Sequence, residues 1–209
     1  WKALHYMARD FYAPVLVSAV EDADEGRARL FVSNDLRRRV TGTVTCSVTD
    51  LAGQVLRETS FEFSREPTST GEIGVAEVHD LIARHGSYGI IMWLALDDGG
   101  SVSSRSLVLF ARPKHLELVR EPGISVHVAH ADHGSAELRI DTKAPALWVW
   151  LELRDGEARF SDNFFHLKPG TPVFVSVQTD TSLSAEEVRD RLRVRSLVDT
   201  YTEGPAHGN

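Results

Sequence analysis

The sequence is poor in cysteine: Cys46 is the only one in 209 residues, so the chain can form no internal disulfide. Cys46 lies in a segment of alternating apolar and polar residues, on the same face as Val44 and Val48. This position predicts a buried, small apolar side chain rather than a reactive thiol. The fold is therefore expected to depend on hydrophobic cores and not on covalent cross-links.

Long apolar runs and a surplus of basic residues are absent as well. No stretch of about 18 apolar residues occurs, so neither a transmembrane helix nor a membrane partner is predicted. The formal net charge is −7 and is spread evenly, which argues against nucleic acid as a partner. Arginine strongly outnumbers lysine, as in GC-rich bacteria. A bacterial protein without disulfides is expected in the cytoplasm, with a secreted or periplasmic location left open.

No metal or cofactor site is predicted. His127, His130 and His133 come closest to a metal motif, but His127 and His130 are an odd number of residues apart and point to opposite faces of a strand. Zinc requires three or four converging ligands that other groups hold in place. The carboxylates of residues 152–157 flank a tight turn and lack the deep apolar cleft that raises the pKa of a catalytic acid.

The sequence does contain two series of short alternating segments. After Pro14 the spacing of apolar residues changes from a helical period to the period of two that is typical of β-strands. The cleanest strand covers residues 40–49. With about seven such strands in each half, the predicted fold is all-β: two consecutive immunoglobulin-like antiparallel β-sandwiches preceded by a short helix. A catalytic (β/α)₈ barrel needs about 250 residues, so it cannot fit in this chain.

The predicted domain organisation has four parts. They are a helix over residues 1–13, a first sandwich over 14–112, a second sandwich over 113–202 and a flexible tail over 203–209. Within the second sandwich, Ser184 and Glu187 have the spacing of a capping box, which predicts a short helix. Residues 193–199 predict the closing strand.

The helix at the start of the chain has one apolar stripe. Its members are Leu4, Met7, Ala8 and Phe11. Pro14 ends the helix because it cannot continue the hydrogen-bond pattern. No N-cap residue precedes Trp1, so we expect this helix to be the end of a larger domain.

Three segments resemble landmarks of one family. They are Trp1–Tyr6 followed by Phe11–Pro14, then Phe160–Phe165 with the strand Trp148–Glu152 upstream, and finally Ser196–Tyr201. In this order they resemble the end of the catalytic barrel and the last domain of the β-mannosidases of glycoside hydrolase family 2. The first sandwich is similar to the family mainly in its pattern of strands.

The resemblance implies a parent enzyme that is a retaining, exo-acting hydrolase of terminal β-D-mannose in oligosaccharides. Two glutamates about 5–5.5 Å apart carry out such a reaction. In the family both lie on the barrel, so the resemblance places them before Trp1 and assigns no catalytic residue to this chain. The chain is expected to be a non-catalytic accessory region. Its intramolecular partner would be the barrel, and the parent's substrate a mannose-containing oligosaccharide.

Two alternatives stay open. The same tail also suits a related exo-β-glucosaminidase or endo-β-mannosidase, and a free-standing carbohydrate-binding module is the rival from another class. Trp148 and Trp150 bear on the second alternative, because they are two apart and share one face of a strand. We expect them to line an interface with the barrel or the first sandwich, with glycan contact or core packing as the alternatives. Asp162 and Asn163, in a turn-forming segment, are the remaining candidates for such a contact.

The helix supplies the other candidate interface. Trp1, His5, Tyr6 and Phe11 are expected to pack against the barrel. In the isolated chain they would leave an apolar patch, through which the chain is expected to self-associate.

Overall fold

The computed structural model describes residues 3–99, 102–132 and 134–201. The chain divides into two compact units: Met7–Glu117, and the first turn of the N-terminal helix together with the chain from Leu118 onward. Each unit contains two antiparallel sheets, which confirms the all-β fold of two sandwiches after a short helix. In the part of the chain that is described, no helix has the length and apolar character needed to span a membrane.

The regular elements are short, as the turn spacing predicts. The helices are α1 (Ala3–Phe11), α2 (His79–His85) and α3 (Ala185–Arg191), with 3₁₀ turns at Pro113–His115 and Leu197–Thr200. The strands of the first unit are β1 (Val15–Asp22), β2 (Arg27–Asn34), β3 (Val40–Asp50), β4 (Val55–Arg65), β5 (Ser69–Glu77), β6 (Ile90–Asp97) and β7 (Val102–Val108). Those of the second are β8 (Ser125–Asp132), β9 (Ser135–Asp141), β10 (Ala146–Leu153), β11 (Ala158–Phe160), β12 (Phe165–Leu167), β13 (Val173–Thr179) and β14 (Leu192–Arg195).

The first sandwich packs the sheet β1-β2-β5 against the sheet β4-β3-β6-β7. Strand β6 is central and apolar on both faces, and Ile90, Ile91 and Met92 are all 0% exposed. On β3 only one face is apolar, so Val44 points into the core between the sheets. Cys46 lies on the same face and is 2% exposed, which confirms its predicted role as a buried small side chain.

The second sandwich packs the sheet β12-β10-β14 against the sheet β11-β13-β9-β8. Its core contains side chains from both inner faces, among which Leu138, Ile140, Val149, Leu167 and Val175 are 0% exposed. Strand β9 alternates strictly between apolar and polar residues, so its other face is left to polar side chains. The outer face of β13 also carries Phe174, which is 66% exposed.

Helix α3 begins at the predicted capping box. The Glu187 N–H donates to Ser184 Oγ at 3.2 Å, and the Ser184 N–H donates to the Glu187 carboxylate at 2.8 Å. Both bonds are made, so the capping box is confirmed. They also hold the pKa of Glu187 below its usual value, since a carboxylate that accepts hydrogen bonds is stabilised in its charged form.

A second capping box was not predicted, and it changes the end of the fold. The Ser196 N–H donates to the Asp199 carboxylate at 2.7 Å, and residues 197–200 form a 3₁₀ turn. The closing strand expected over 193–199 is therefore wrong beyond Arg195, where β14 ends.

Candidate functional site

Strand β10 carries the two tryptophans that the sequence singles out. Val149 between them is 0% exposed, whereas Trp148 and Trp150 are half-buried and lie outside the core. The register between β10 and β12 shifts between Ala146 and Val149, and Trp148 has a φ of +48°. These features describe a β-bulge, which re-aims a side chain and twists the strand locally.

His166 on β12 fixes the conformation of Trp148. The Trp148 N–H donates to His166 Nδ1 at 3.2 Å, and the two rings meet edge to face at a centroid distance of 5.1 Å. Burial lowers the pKa of His166 from 6.5 to about 4, because desolvation disfavours the charged imidazolium. The ring is therefore neutral at pH 7, with Nδ1 as the acceptor and the proton on Nε2. No sequence pattern pointed to His166.

Asn163 holds the loop between β11 and β12 against β10. Its Nδ2 donates to the Leu151 carbonyl at 3.0 Å, and its Oδ1 accepts from the N–H groups of Leu151 at 2.8 Å and Phe164 at 3.1 Å. Asn163 is 7% exposed, so its side-chain amide is buried where it makes these hydrogen bonds to the backbone. Asp162 Oδ1 in turn accepts from the Asn163 N–H at 2.8 Å. Turn chemistry was predicted for this segment, but the link to Leu151 was not.

Phe164 follows in the left-handed conformation, with a φ of +61°. Its ring is stacked on that of Trp150 at a centroid distance of 6.2 Å and an angle of 12°. The ring of Tyr6 lies 6.2 Å from Phe164 on a tilted plane. We call Tyr6, Trp148, Trp150, Phe164 and His166 the aromatic cluster.

The residues of the N-terminal helix have very different surroundings. Tyr6 is 7% exposed, and its ring lies next to that of Phe164. Phe11 is 49% exposed, and His5 also lies on the surface. Leu4, a member of the apolar stripe, is 71% exposed. Trp1 lies outside the described residues.

Charged side chains border the aromatic cluster on the opposite side of β10. In the antiparallel pairing of β10 with β14, Trp150 lies directly across from Arg195, and Glu152 lies across from Arg193. Directly opposed residues share one face of a sheet, so this edge combines a tryptophan with two arginines and one carboxylate.

Asp80, in the first unit, has structural partners. Asp80 accepts from the Arg57 guanidinium at 2.8 and 3.0 Å and from Arg84 at 2.7 Å. These bonds, with Arg57 contributing most, lower the pKa of Asp80. Among the described residues no three histidine, cysteine or acidic side chains lie close enough to hold a metal ion. The side chains of His130 and His133 lie outside the described part.

A cavity of about 270 Å³ lies at the β4–β5 edge of the first sandwich. Its walls are mainly apolar, with Cys46, Phe61 and Val75 among them, and Glu77 is the carboxylate in its lining. A single carboxylate cannot provide the pair that glycosidase chemistry requires.

Comparison with known families covers both sandwiches. Residues 26–115 match the family described as the mannosidase Ig/CBM-like domain, and residues 119–200 match the Ig-fold domain of mannosidases. The chain is 26% identical over 210 residues to β-mannosidase A of Aspergillus fumigatus and 28% identical over 217 residues to that of Emericella nidulans. Each match covers 95% of this chain and 23% of the relative, so the chain spans about a quarter of the length of these curated relatives.

Solved structures share the fold. The β-D-mannosidase of Dictyoglomus thermophilum superimposes with a TM-score of 0.76 at 20% identity, over 92% of this chain and 23% of that one. The exo-chitosanase CsxA of Amycolatopsis orientalis gives a TM-score of 0.60 at 13% identity, over 92% of this chain and 26% of that one. At these identities the likeness shows a common fold.

Proposed function

This chain belongs to the β-mannosidases of glycoside hydrolase family 2, and we propose that it forms the non-catalytic, carboxy-terminal accessory region of a retaining exo-β-mannosidase. The parent would release terminal β-D-mannose from oligosaccharides. The observation that carries this proposal is the match of both sandwiches to mannosidase domains, over residues 26–115 and 119–200. Because the chain corresponds to 23% of β-mannosidase A, the remainder of such an enzyme has ample length for a catalytic barrel.

The chemistry of the described carboxylates supports a non-catalytic role. A retaining glycosidase needs two carboxyl groups about 5–5.5 Å apart, of which the general acid has a raised pKa. In this chain Asp80 is paired with Arg57 and Arg84, Glu187 caps α3, and both pKa values are lowered. These carboxylates stay ionised and stabilise local structure, which is the opposite of what a general acid requires.

The exposed stripe of α1 supports a mechanical role. Leu4 is 71% exposed and Phe11 is 49% exposed, although both are large apolar side chains on one face of the helix. Such a patch is typical of a surface that another domain covers. In the intact enzyme the stripe would pack against the barrel, and the sandwiches would buttress the barrel and shape the rim of its pocket.

An activity assay of the purified chain tests the proposal. We expect no hydrolysis of an aryl β-mannoside by the chain, and turnover by the parent enzyme under the same conditions. The double variant E152Q/D155N, which removes two carboxylates at the exposed turn, serves as the matched control. A trace rate that does not follow the chain through purification comes from a contaminant. A rate that follows the chain through purification and is lost in the variant would refute the proposal.

The choice of sugar is tested separately in the parent. Turnover of an aryl β-mannoside well above that of the corresponding β-glucosaminide is the expected result. The reverse preference would assign the chain to a glucosaminidase and would leave the accessory role intact.

A further inference from the structure

The first turn of α1 contacts the second sandwich through the ring of Tyr6. Tyr6 is 7% exposed, and its ring centroid lies 6.2 Å from that of Phe164. Two positions earlier, Leu4 is 71% exposed. By its contacts this turn forms one compact unit with the chain from Leu118 onward.

We propose that Trp148, Trp150, Phe164 and His166 of the aromatic cluster form a helix seat, the surface by which the second sandwich binds Tyr6 and with it the helix that ends the catalytic barrel. Tyr6 is the bound residue, Phe164 lies against its ring, and Trp150 is a positioning residue that stacks on Phe164. The identity of the helix as the end of a barrel rests on the proposed function. The seat itself rests on contacts within this chain.

The backbone around the seat is set by hydrogen bonds that do not involve the helix. Asn163 binds both the N–H and the carbonyl of Leu151, and Phe164 follows it with a φ of +61°. Trp148, with a φ of +48°, is fixed in the same way by its bond to His166. A left-handed backbone is unfavourable for a residue with a Cβ and persists only where the surroundings impose it. Trp148 and Phe164 are both large aromatic residues in this conformation, which indicates that the shape of this surface is fixed by its surroundings.

The arrangement of the rings favours a protein helix over a sugar as the occupant. A sugar-binding platform presents an open aromatic face to a pyranose ring. Here the ring of Trp150 is stacked on Phe164 at 12°, and Trp148 meets His166 edge to face. The rings are largely occupied with one another, and Tyr6 completes the group.

Helix α1 has little stability of its own, so the protection of its amides from hydrogen exchange measures how firmly the helix seat holds it. Helix α1 has nine residues, and isolated helices shorter than about 12–15 residues are marginal in water. Leu4 and Phe11 of its apolar stripe are exposed and contribute little to holding it, whereas Met7 and Ala8 are half-buried. Loss of the Tyr6 contact should therefore open the helix without unfolding either sandwich.

Hydrogen exchange of the 209-residue chain tests this directly. Y6A removes the gripped ring, and Y12A makes the same change at a tyrosine that is 78% exposed, in the same segment. We expect the α1 amides of Met7–Phe11 to exchange about tenfold faster or more in Y6A, and to stay within about twofold of wild type in Y12A. F164Y keeps a ring in the seat and should keep the protection. F164G should lose it, even though glycine relieves the left-handed backbone.

Each outcome decides the proposal. Hydrogen exchange of the β13 amides shows whether F164G also unfolds the second sandwich. In that case the test depends on Y6A and F164Y, which are expected to leave the sandwich folded. Equal α1 exchange in Y6A and Y12A would overturn the seat. Calorimetric binding of β-1,4-mannohexaose that is lost in W150A, with α1 exchange unchanged, would make the cluster a sugar site and would also overturn it. Activity of the isolated chain on an aryl β-mannoside would refute the proposed function and leave this result unaffected.

Discussion

The neutral histidine beneath Trp148 makes the stability of the chain depend on pH. Burial lowers the pKa of His166 from 6.5 to about 4. The imidazole also uses its Nδ1 lone pair to accept a hydrogen bond from the Trp148 N–H at 3.2 Å. After protonation, the Nδ1–H would face the Trp148 N–H, and this hydrogen bond would be lost. The unfolded chain takes up a proton below pH 6.5, whereas the folded chain resists until about pH 4. Stability is therefore complete above pH 6.5 and is lost as the pH falls from 6.5 to 4.

The size of the effect follows from the same two pKa values. Each tenfold difference in proton affinity corresponds to about 1.4 kcal/mol, so His166 alone should remove about 3 kcal/mol of unfolding free energy by pH 4. A loss of that size is a large part of the stability of an ordinary domain, which is about 5–15 kcal/mol.

Urea unfolding at several pH values between 7.5 and 4.5 measures this loss. Carboxylates such as Glu187 lose stabilising contacts in acid as well, so the comparison is with H166Q, which keeps an acceptor for the Trp148 N–H but cannot titrate. H127Q changes an exposed histidine on β8 and controls for the substitution itself. The wild type and H127Q should lose stability faster than H166Q as the pH falls below 6.5. Parallel curves for wild type and H166Q, or an NMR titration midpoint of His166 near 6.5, would refute the reasoning.

Two further predictions follow from the packing. N163L should destabilise the second sandwich by about 2–4 kcal/mol in urea unfolding, since it leaves the N–H and carbonyl of Leu151 buried without their partner; a loss below about 0.5 kcal/mol would show that water replaces the amide. The chain should self-associate through its exposed stripe, so light scattering should show a concentration-dependent mass that L4S/F11S abolishes and F174S, at a phenylalanine that is 66% exposed, does not. A monomeric wild-type chain over the whole concentration range would contradict this.

The architecture was predictable because each strand alternates and each turn carries its own residues. Strand β3 shows this well: Val44 and Cys46 lie on its buried face, as their spacing requires. The capping box at Ser184 was equally local, because both partners lie within one turn of helix. The failure beyond Arg195 has the same kind of cause. The box formed by Ser196 and Asp199 turns the chain into a 3₁₀ turn, and both of its partners lie within that turn.

The aromatic cluster was predictable only in part, because its geometry depends on contacts distant in sequence. Phe164 is left-handed since Asn163 is bound to Leu151, which lies 12 residues earlier. The low pKa of His166 comes from burial, which no local pattern reports. A family resemblance drew attention to Phe160–Phe165, but it could not say what the segment does.

The N-terminal helix is part of both proposals, and its two faces allow the proposals to be tested separately. Helical spacing detects the stripe that includes Leu4 and Phe11, while Tyr6 lies roughly 160° around the helix from Leu4. In the structure Tyr6 is buried, while Leu4 and Phe11 of the detected stripe are exposed. A helix that is apolar on two opposite sides is typical of a helix that packs between two domains. In the proposed arrangement these are the second sandwich, which this chain contains, and the catalytic barrel. L4S/F11S should therefore abolish self-association and leave the exchange of α1 unchanged in dilute samples, whereas Y6A should speed that exchange. If L4S/F11S sped the exchange of α1 as much as Y6A does, α1 would have a single functional face, and the assignment of separate faces to the barrel and the second sandwich would fail.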